Sequence, residues 1–239
     1  MASEEKEIFD YLMAKVGNRA GVLGLMGNLK AESGLYSKNL ENRGNRISGL
    51  TDEAYTQAVD SGAYSYDAFC LDTYGYGLAQ WTYHTRKANL YNYAKSRNKS
   101  IGDLYMQLDF LLSEIKGYPE VWNAIMHSND IKTVSDKVLL QYEKPANQSS
   151  DVQVYRANLG KEIGERLKEQ TSAAKTIMCA GYHTSLVDAL KSVGINHSYQ
   201  YRNTLAQYNG IKGYRGTAEQ NIALLSMLKA GKLIIPGGE

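Results

Sequence analysis

Only two cysteines, Cys70 and Cys179, occur in the 239 residues. They form no Cys-x-x-Cys pair, which argues against a structural zinc site or disulfide scaffold and for two buried thiols. No apolar run approaches the roughly 18–20 residues that a bilayer-spanning helix needs. The acidic start, Met1-Ala-Ser-Glu-Glu-Lys-Glu7, lacks the basic and apolar regions of a secretory signal. The expectation is synthesis in the cytoplasm, with a separate exit route for any work outside the cell, and no membrane partner. Excess charge is also missing: a net +2 is too small to argue for nucleic acid through counterion release. The four histidines, His84, His127, His183 and His197, are scattered and offer no zinc-ligand spacing. No metal or organic cofactor is implied.

What is present is an ordinary globular balance, 43% hydrophobic and 22% charged. The length suits one large domain, or a medium domain with a small one attached. Phenylalanine is scarce (3) and tyrosine abundant (19), and eight tyrosines fall between Tyr55 and Tyr93. Tyrosine joins an apolar face to a hydroxyl and suits partly polar ligands such as sugars. The cluster reads either as a site or as a Tyr-rich packed loop.

Helical periodicity opens the chain, with Ser3 as N-cap and Ile8, Tyr11, Leu12 and Val16 on one stripe before Gly17-Asn18. A second helix carries Val22, Leu25, Met26 and Leu29, with Gly21, Gly24 and Gly27 inside it. Glycine at that spacing predicts a second helix packed very closely on that face. Gly34 is a natural C-terminal stop. From Leu35 to Trp81 periodicity is lost, apart from a short helix expected over Thr51–Ser61, and a small or irregular β insertion is expected there. Helical patterns return near Thr85–Ser96, Ile101–Ile115, Trp122–Met126, Val134–Tyr142 and Glu162–Gln170. A polar stretch then reads as a linker. Beyond it stand three further helical patterns, Leu186–Val193, Tyr199–Tyr208 and Thr217–Leu228, the last opened by the capping box Thr217-x-x-Gln220.

Two elements carry chemistry. Glu32 ends a mainly apolar helix before a glycine turn. A carboxyl held there is partly desolvated and keeps its proton near neutrality, as cleavage of a glycosidic bond requires. From spacing alone it reads equally as a helix terminator. In Tyr74-Gly75-Tyr76-Gly77-Leu78-Ala79-Gln80-Trp81, the glycines admit close approach to the backbone. Gln80 can hydrogen-bond a sugar amide in both directions, and Trp81 offers a stacking face. An ordinary hairpin would read the same way.

Taken together, Gly24-x-x-Gly27-Asn28-x-x-x-Glu32-Ser33-Gly34-Leu35 and Gly75-Tyr76-Gly77-Leu78-Ala79-Gln80-Trp81-Thr82 resemble the phage-type lysozymes of tail-associated lysins and endolysins. The likeness continues through Arg86-Lys87, Leu90, Tyr93-Ala94-Lys95, Gln107-Leu108-Asp109-Phe110-Leu111 and Tyr142-Glu143-Lys144-Pro145-Ala146, covering roughly residues 5–168. It implies a lysozyme-like α+β fold and hydrolysis of the β-1,4 bond between N-acetylmuramic acid and N-acetylglucosamine in peptidoglycan glycan strands. Glu32 takes the general-acid role, with Tyr76, Gln80, Trp81 and Tyr142 in the substrate cleft. Gly75 stands where animal lysozymes carry their second carboxylate, so Asp72, then Asp67, are the nearest acids.

The C-terminal patterns, with Tyr201-Arg202, Asn209-Gly210, Gly213-Tyr214 and Gly216–Asn221, resemble a terminal module of lytic enzymes of clostridia-like bacteria and their phages. That implies binding to peptidoglycan or a secondary wall polymer of a Gram-positive host, with Tyr201, Arg202, Tyr214 and Arg215 as contact residues. Packing tyrosines would look alike. Residues 176–239 carry a surplus of three positive charges, which favours an anionic surface. A unit of this size is near the minimum for independent folding and invites self-association. The expected architecture is a mainly α, lysozyme-like catalytic domain over 1–168, a linker over 169–183, and a small three-helix wall-binding module over 184–239. The expected function is an endolysin muramidase that lyses the host after release through a holin pore. Competing readings are a lytic transglycosylase on the same bond, a thiol peptidase using Cys70, and a non-catalytic wall-binding protein.

Overall fold

A computed structural model describes residues 4–172 and 175–235. The chain divides into two compact units, the first ending at Gly164 and the second beginning at Glu165. Ser3, expected as the first N-cap, lies outside the described residues, as do 173–174 of the expected linker.

The first unit is helical. It runs α1 (Glu4–Val16), α2 (Arg19–Ser33), α3 (Asn42–Ser48), α4 (Asp52–Ser61), α5 (Tyr66–Leu71), α6 (His84–Lys95), α7 (Leu104–Ile115), α8 (Pro119–His127) and α9 (Ile131–Lys137), then a π-helical turn, Val138–Glu143, and α10 (Ser150–Ser172), whose residues up to Gly164 belong to it. Helix α2 is its axis, with Val22, Leu25, Met26 and Leu29 fully buried. Burying four such side chains contributes roughly 1.5–3 kcal/mol each before entropy is counted. Gly34, at φ 67°, ends α2 by donating its N–H to Lys30 O.

The three glycines of α2 do not face one partner helix. A Cβ on Gly21 would fall 1.9 Å from Ile125 O of α8, one on Gly24 2.6 Å from Val134 Cβ of α9, and one on Gly27 2.3 Å from Arg156 O of α10. Three helices thus approach α2, each at its own glycine. The spacing signalled close packing; it could not count the partners.

In the segment where periodicity fails, three helices form rather than one. Thr51 caps α4 by accepting from the Ala54 N–H, and Ser65 caps α5 through the Ala68 N–H. Helices α3 and α5 are too short to show a repeat. The β content here is confined to isolated bridges, Leu40 with Tyr76 and Tyr76 with Trp81.

The second unit packs α11 (Leu186–Ser192), α12 (Tyr199–Tyr208) and α13 (Ala218–Lys229) with two strands. The strands, β1 (Lys175–Ile177) and β2 (Leu233–Ile235), are antiparallel with Thr176 opposite Ile234. Thr217 and Gln220 form the expected capping box. Cys179, read from sequence as linker, is buried in the core of this unit with Leu190, Leu205 and Leu228. The segment 175–179 therefore belongs to the small unit, because β1 pairs with β2 and Cys179 lies in the unit's core.

Candidate active site

Glu32 sits in the last turn of α2, where its side chain keeps 19% of its exposure. Arg156 Nη2 of α10 donates to Glu32 Oε1 at 2.5 Å, and Arg156 Nη1 donates to Asn28 Oδ1 at 3.2 Å. Asn28, one turn before Glu32, is fully buried and gives its amide to Gly24 O, Ser135 O and Ser135 Oγ. The guanidinium is thus anchored at both ends, and the Glu32 carboxylate is held by a charge-assisted bond. Ser33 Oγ donates to Leu29 O and to Leu78 O at 2.9 Å, which ties the end of α2 to the Gly-Tyr-Gly segment.

That segment is a tight hairpin. Tyr76 and Trp81 exchange backbone bonds at 3.2 and 2.9 Å, and Gly77 at φ 75° makes the turn. Gln107 of α7 pins it: Leu78 N–H donates to Gln107 Oε1 at 2.9 Å, while Nε2 donates to Ser37 O and Ile101 O. Half-buried Gln80 spends its amide nitrogen on Asn39 and Gly77. Gly75 has no room for a side chain, since a Cβ would lie 2.5 Å from Gln80 Oε1.

The stacking face expected of Trp81 is absent, because the ring is fully buried, and Tyr76, expected in the substrate cleft, is fully buried too. Tyr76 hydroxyl pairs with Thr56 Oγ1 at 2.6 Å, and Trp81 Nε1 donates to Glu114 Oε2 at 2.7 Å. Tyr142 is buried as well. Its hydroxyl donates to Glu114 Oε2 at 2.7 Å and accepts from Arg86 Nη2 at 2.7 Å, while the Arg86 guanidinium lies 4.8 Å from its ring centroid. Glu114 therefore gathers Trp81, Arg86 and Tyr142 into one buried network behind the hairpin. These residues support the site from within.

Asp72 is committed elsewhere. Its Oδ1 accepts from buried Lys87 and from the Tyr74 N–H, and its Oδ2 accepts from Tyr55 at 2.5 Å and Tyr64 at 3.2 Å. Both oxygens have structural partners, so its place is that of counter-ion to Lys87, whose own pKa burial lowers. Much of the tyrosine cluster packs around this pair, with Tyr55 against Tyr64, Tyr76 and Phe69. Asp67, the next acid in line, opens α5. Cys70 is buried, and desolvation pushes its thiol up, away from the reactive thiolate.

At this site burial raises a carboxyl to which the resemblance assigns no role, Glu143. Glu143 closes the π-helical turn, where Lys144, at φ 50°, returns its N–H to Leu139 O. Its Oε1 is buried with no hydrogen-bond partner among the described residues. Desolvation, then the nearby Glu32 charge, push it up to about 8, against the opposing pull of Arg86 and Arg156. Tyr142-Glu143 lies in the last of the motifs that carry the resemblance, which assigns a role to the tyrosine alone. An acid closing the apolar run Val138-Leu139-Leu140 was the available signal. Two glutamates and two arginines from four elements thus share the electrostatics of one locus.

In the second unit, Tyr214 hydroxyl accepts from Arg202 Nε at 3.0 Å and donates to Asn221 Oδ1 at 2.6 Å. Arg202 also donates to His197 O. Tyr214 is buried, Tyr201 packs against the small core, and Arg215 is exposed. Among the described residues, no group of three His, Cys, Asp or Glu side chains is arranged to hold a metal ion, and no helix is long and apolar enough to cross a membrane.

A family model described as phage tail lysozyme matches residues 3–178. An L-alanyl-D-glutamate peptidase of Listeria phage A118 is 27% identical over 164 residues, which is 66% of this chain and 58% of that relative. The chain thus spans little more than half the length of the curated relative it matches.

Proposed function

Because the chain belongs to the phage tail lysozyme family, we propose that it is an endolysin muramidase that hydrolyses the β-1,4 bond from N-acetylmuramic acid to N-acetylglucosamine. The observation that carries this reading is Glu32: a partly buried carboxyl at the end of a buried helix, held by Arg156 and tied to the glycine-rich hairpin through Ser33. Glu32 acts as general acid on the leaving oxygen, and Gln80, half-buried at the hairpin turn with its amide nitrogen committed to Asn39 and Gly77, meets a sugar amide through its Oε1 as acceptor. Trp81, Tyr76 and Tyr142 hold the walls of the cleft. The second unit binds the wall of a Gram-positive host, with Arg215 the exposed contact, and the enzyme reaches its substrate after holin-type release.

Mass spectrometry of purified peptidoglycan, digested with the protein and reduced with borohydride, tests the reaction. Ends in reduced muramic acid support the muramidase, and Glu32→Gln then abolishes their release while the protein stays folded. Anhydromuramic ends would make it a transglycosylase. Freed peptides with intact glycan would move the activity toward that named for the Listeria phage relative. A tagged fragment beginning at Lys175, so that β1 is retained, tests wall binding; failure to decorate susceptible cells refutes it.

A further inference from the structure

We infer that Glu143 is the proton-sharing partner of Glu32: the two carboxyls hold one proton between them in the resting site, and Glu143 returns it to Glu32 for each turnover. This rests on the muramidase reading. The geometry is that of a divided pair. Glu32 lies at the end of α2 with Arg156 on its Oε1. Glu143 lies at the end of the π-helical turn, with Oε1 sealed from solvent and unpartnered among the described residues. Single turns of π geometry are frequent at functional sites.

The charged groups facing Glu143 come from four other elements: Glu32 on α2, Arg86 on α6, Glu114 on α7 and Arg156 on α10. Neither arginine gives it a hydrogen bond. Arg86 is spent on both Glu114 oxygens and on Tyr142, and Arg156 on Glu32 and Asn28. A second negative charge beside Glu32 would meet repulsion, with one oxygen sealed from solvent, so the proton resides on Glu143. Its raised pKa agrees with this.

In the reaction, Glu143 first passes the shared proton to the Glu32 carboxylate through a water of the cleft. Glu32 gives it to O4 as the C1–O4 glycosidic bond breaks, and the electron pair of that bond stays on O4. A water molecule adds its hydroxyl to C1, and its remaining proton returns to Glu143. One bond and one water become two hydroxyls, and the pair ends as it began. Glu143 is therefore a positioning residue for the proton and does not touch the sugar.

The test is the pH dependence of muramic-acid reducing ends released by the full chain, comparing wild type, Glu143→Gln and Glu32→Gln. In the wild type the alkaline limb reports loss of the shared proton. Glu143→Gln is expected to move that limb down by about one pH unit or more and to lower kcat about tenfold at pH 8, with KM unchanged. A limb that stays in place, or a loss by the same factor at every pH, overturns the inference. If Glu143→Gln does not fold, carboxyl carbon-13 titration of the wild type decides it. A glutamate titrating far above the ordinary range, whose midpoint also perturbs the resonance missing from Glu32→Gln, is expected; its absence overturns the pairing. Should the wild type release no muramic ends, the muramidase reading fails, and the same titration still reports whether the two carboxyls share a proton.

Discussion

Arg156 and Glu32 meet at 2.5 Å although 124 positions separate them. The guanidinium that holds the acid enters from the part of α10 that lies in the first unit, and its Nη1 is fixed by Asn28 of α2. Its own backbone carbonyl lies where a Cβ on Gly27 would have to go. Close packing of two helices and placement of the acid are therefore one arrangement.

Arg156→Met is expected to leave Glu32 with a charge lacking its counter-ion, to cost about 3 kcal/mol of stability, and to lower lytic activity at least tenfold. Denaturant midpoints and turbidity clearance of cell walls measure the two effects. Unchanged activity would show that Glu32 needs no such partner.

Gly27→Ala would drive a methyl group into Arg156 O and Gly160 N, 2.3 and 2.8 Å from the new carbon. Backbone cannot swing aside as a side chain can, so a loss of about 2–3 kcal/mol is expected. Activity should fall beyond what stability explains, because α10 carries Arg156. Activity measured well below the melting temperature separates the two.

Asp72→Asn removes the counter-ion of a fully buried lysine. A loss of about 3 kcal/mol is expected, while the folded variant at low temperature keeps lytic activity within a few-fold of wild type. Abolished turnover in folded protein would restore Asp72 to the reaction.

Burial raises Glu143 in the folded chain above the roughly 4.3 of an unfolded glutamate. The folded state then binds more protons between those two values. The contribution is complete below pH ~4.3 and is lost as pH rises through about 8. Stability of the wild type relative to Glu143→Gln should therefore fall from pH 5 to pH 8, by roughly 1–3 kcal/mol. Urea midpoints of both proteins at both pH values check the sign.

Cys70 is buried and its thiol is raised by desolvation. Iodoacetamide at neutral pH should leave wall cleavage intact in native protein. Rapid inactivation would instead favour a thiol peptidase.

The linear order of residues was enough for α1, α2, α6 and α7, the glycine stop at Gly34, the Thr217 capping box and the candidacy of Glu32, since each depends on neighbours within a turn or two. Of α10 (Ser150–Ser172) it marked only Glu162–Gln170, not the half that carries Arg156. Helices α3 and α5 escaped because six or seven residues hold no readable period. The roles of the aromatic residues escaped for another reason: Tyr and Trp suit a sugar-binding face and a packed interior equally, and only burial separates the two. Trp81, Tyr76 and Tyr142 went inward, where Glu114, Thr56 and Arg86 satisfy their polar ends. Asp72 and Glu143 exchanged places in the same way. Asp72 lies near the motif in the chain but is neutralised by Lys87, whereas Glu143 lies far along it and is brought to Glu32 by folding. A carboxyl's chemistry depends on which charges and how much water reach it, and those are set by contacts between residues distant in sequence.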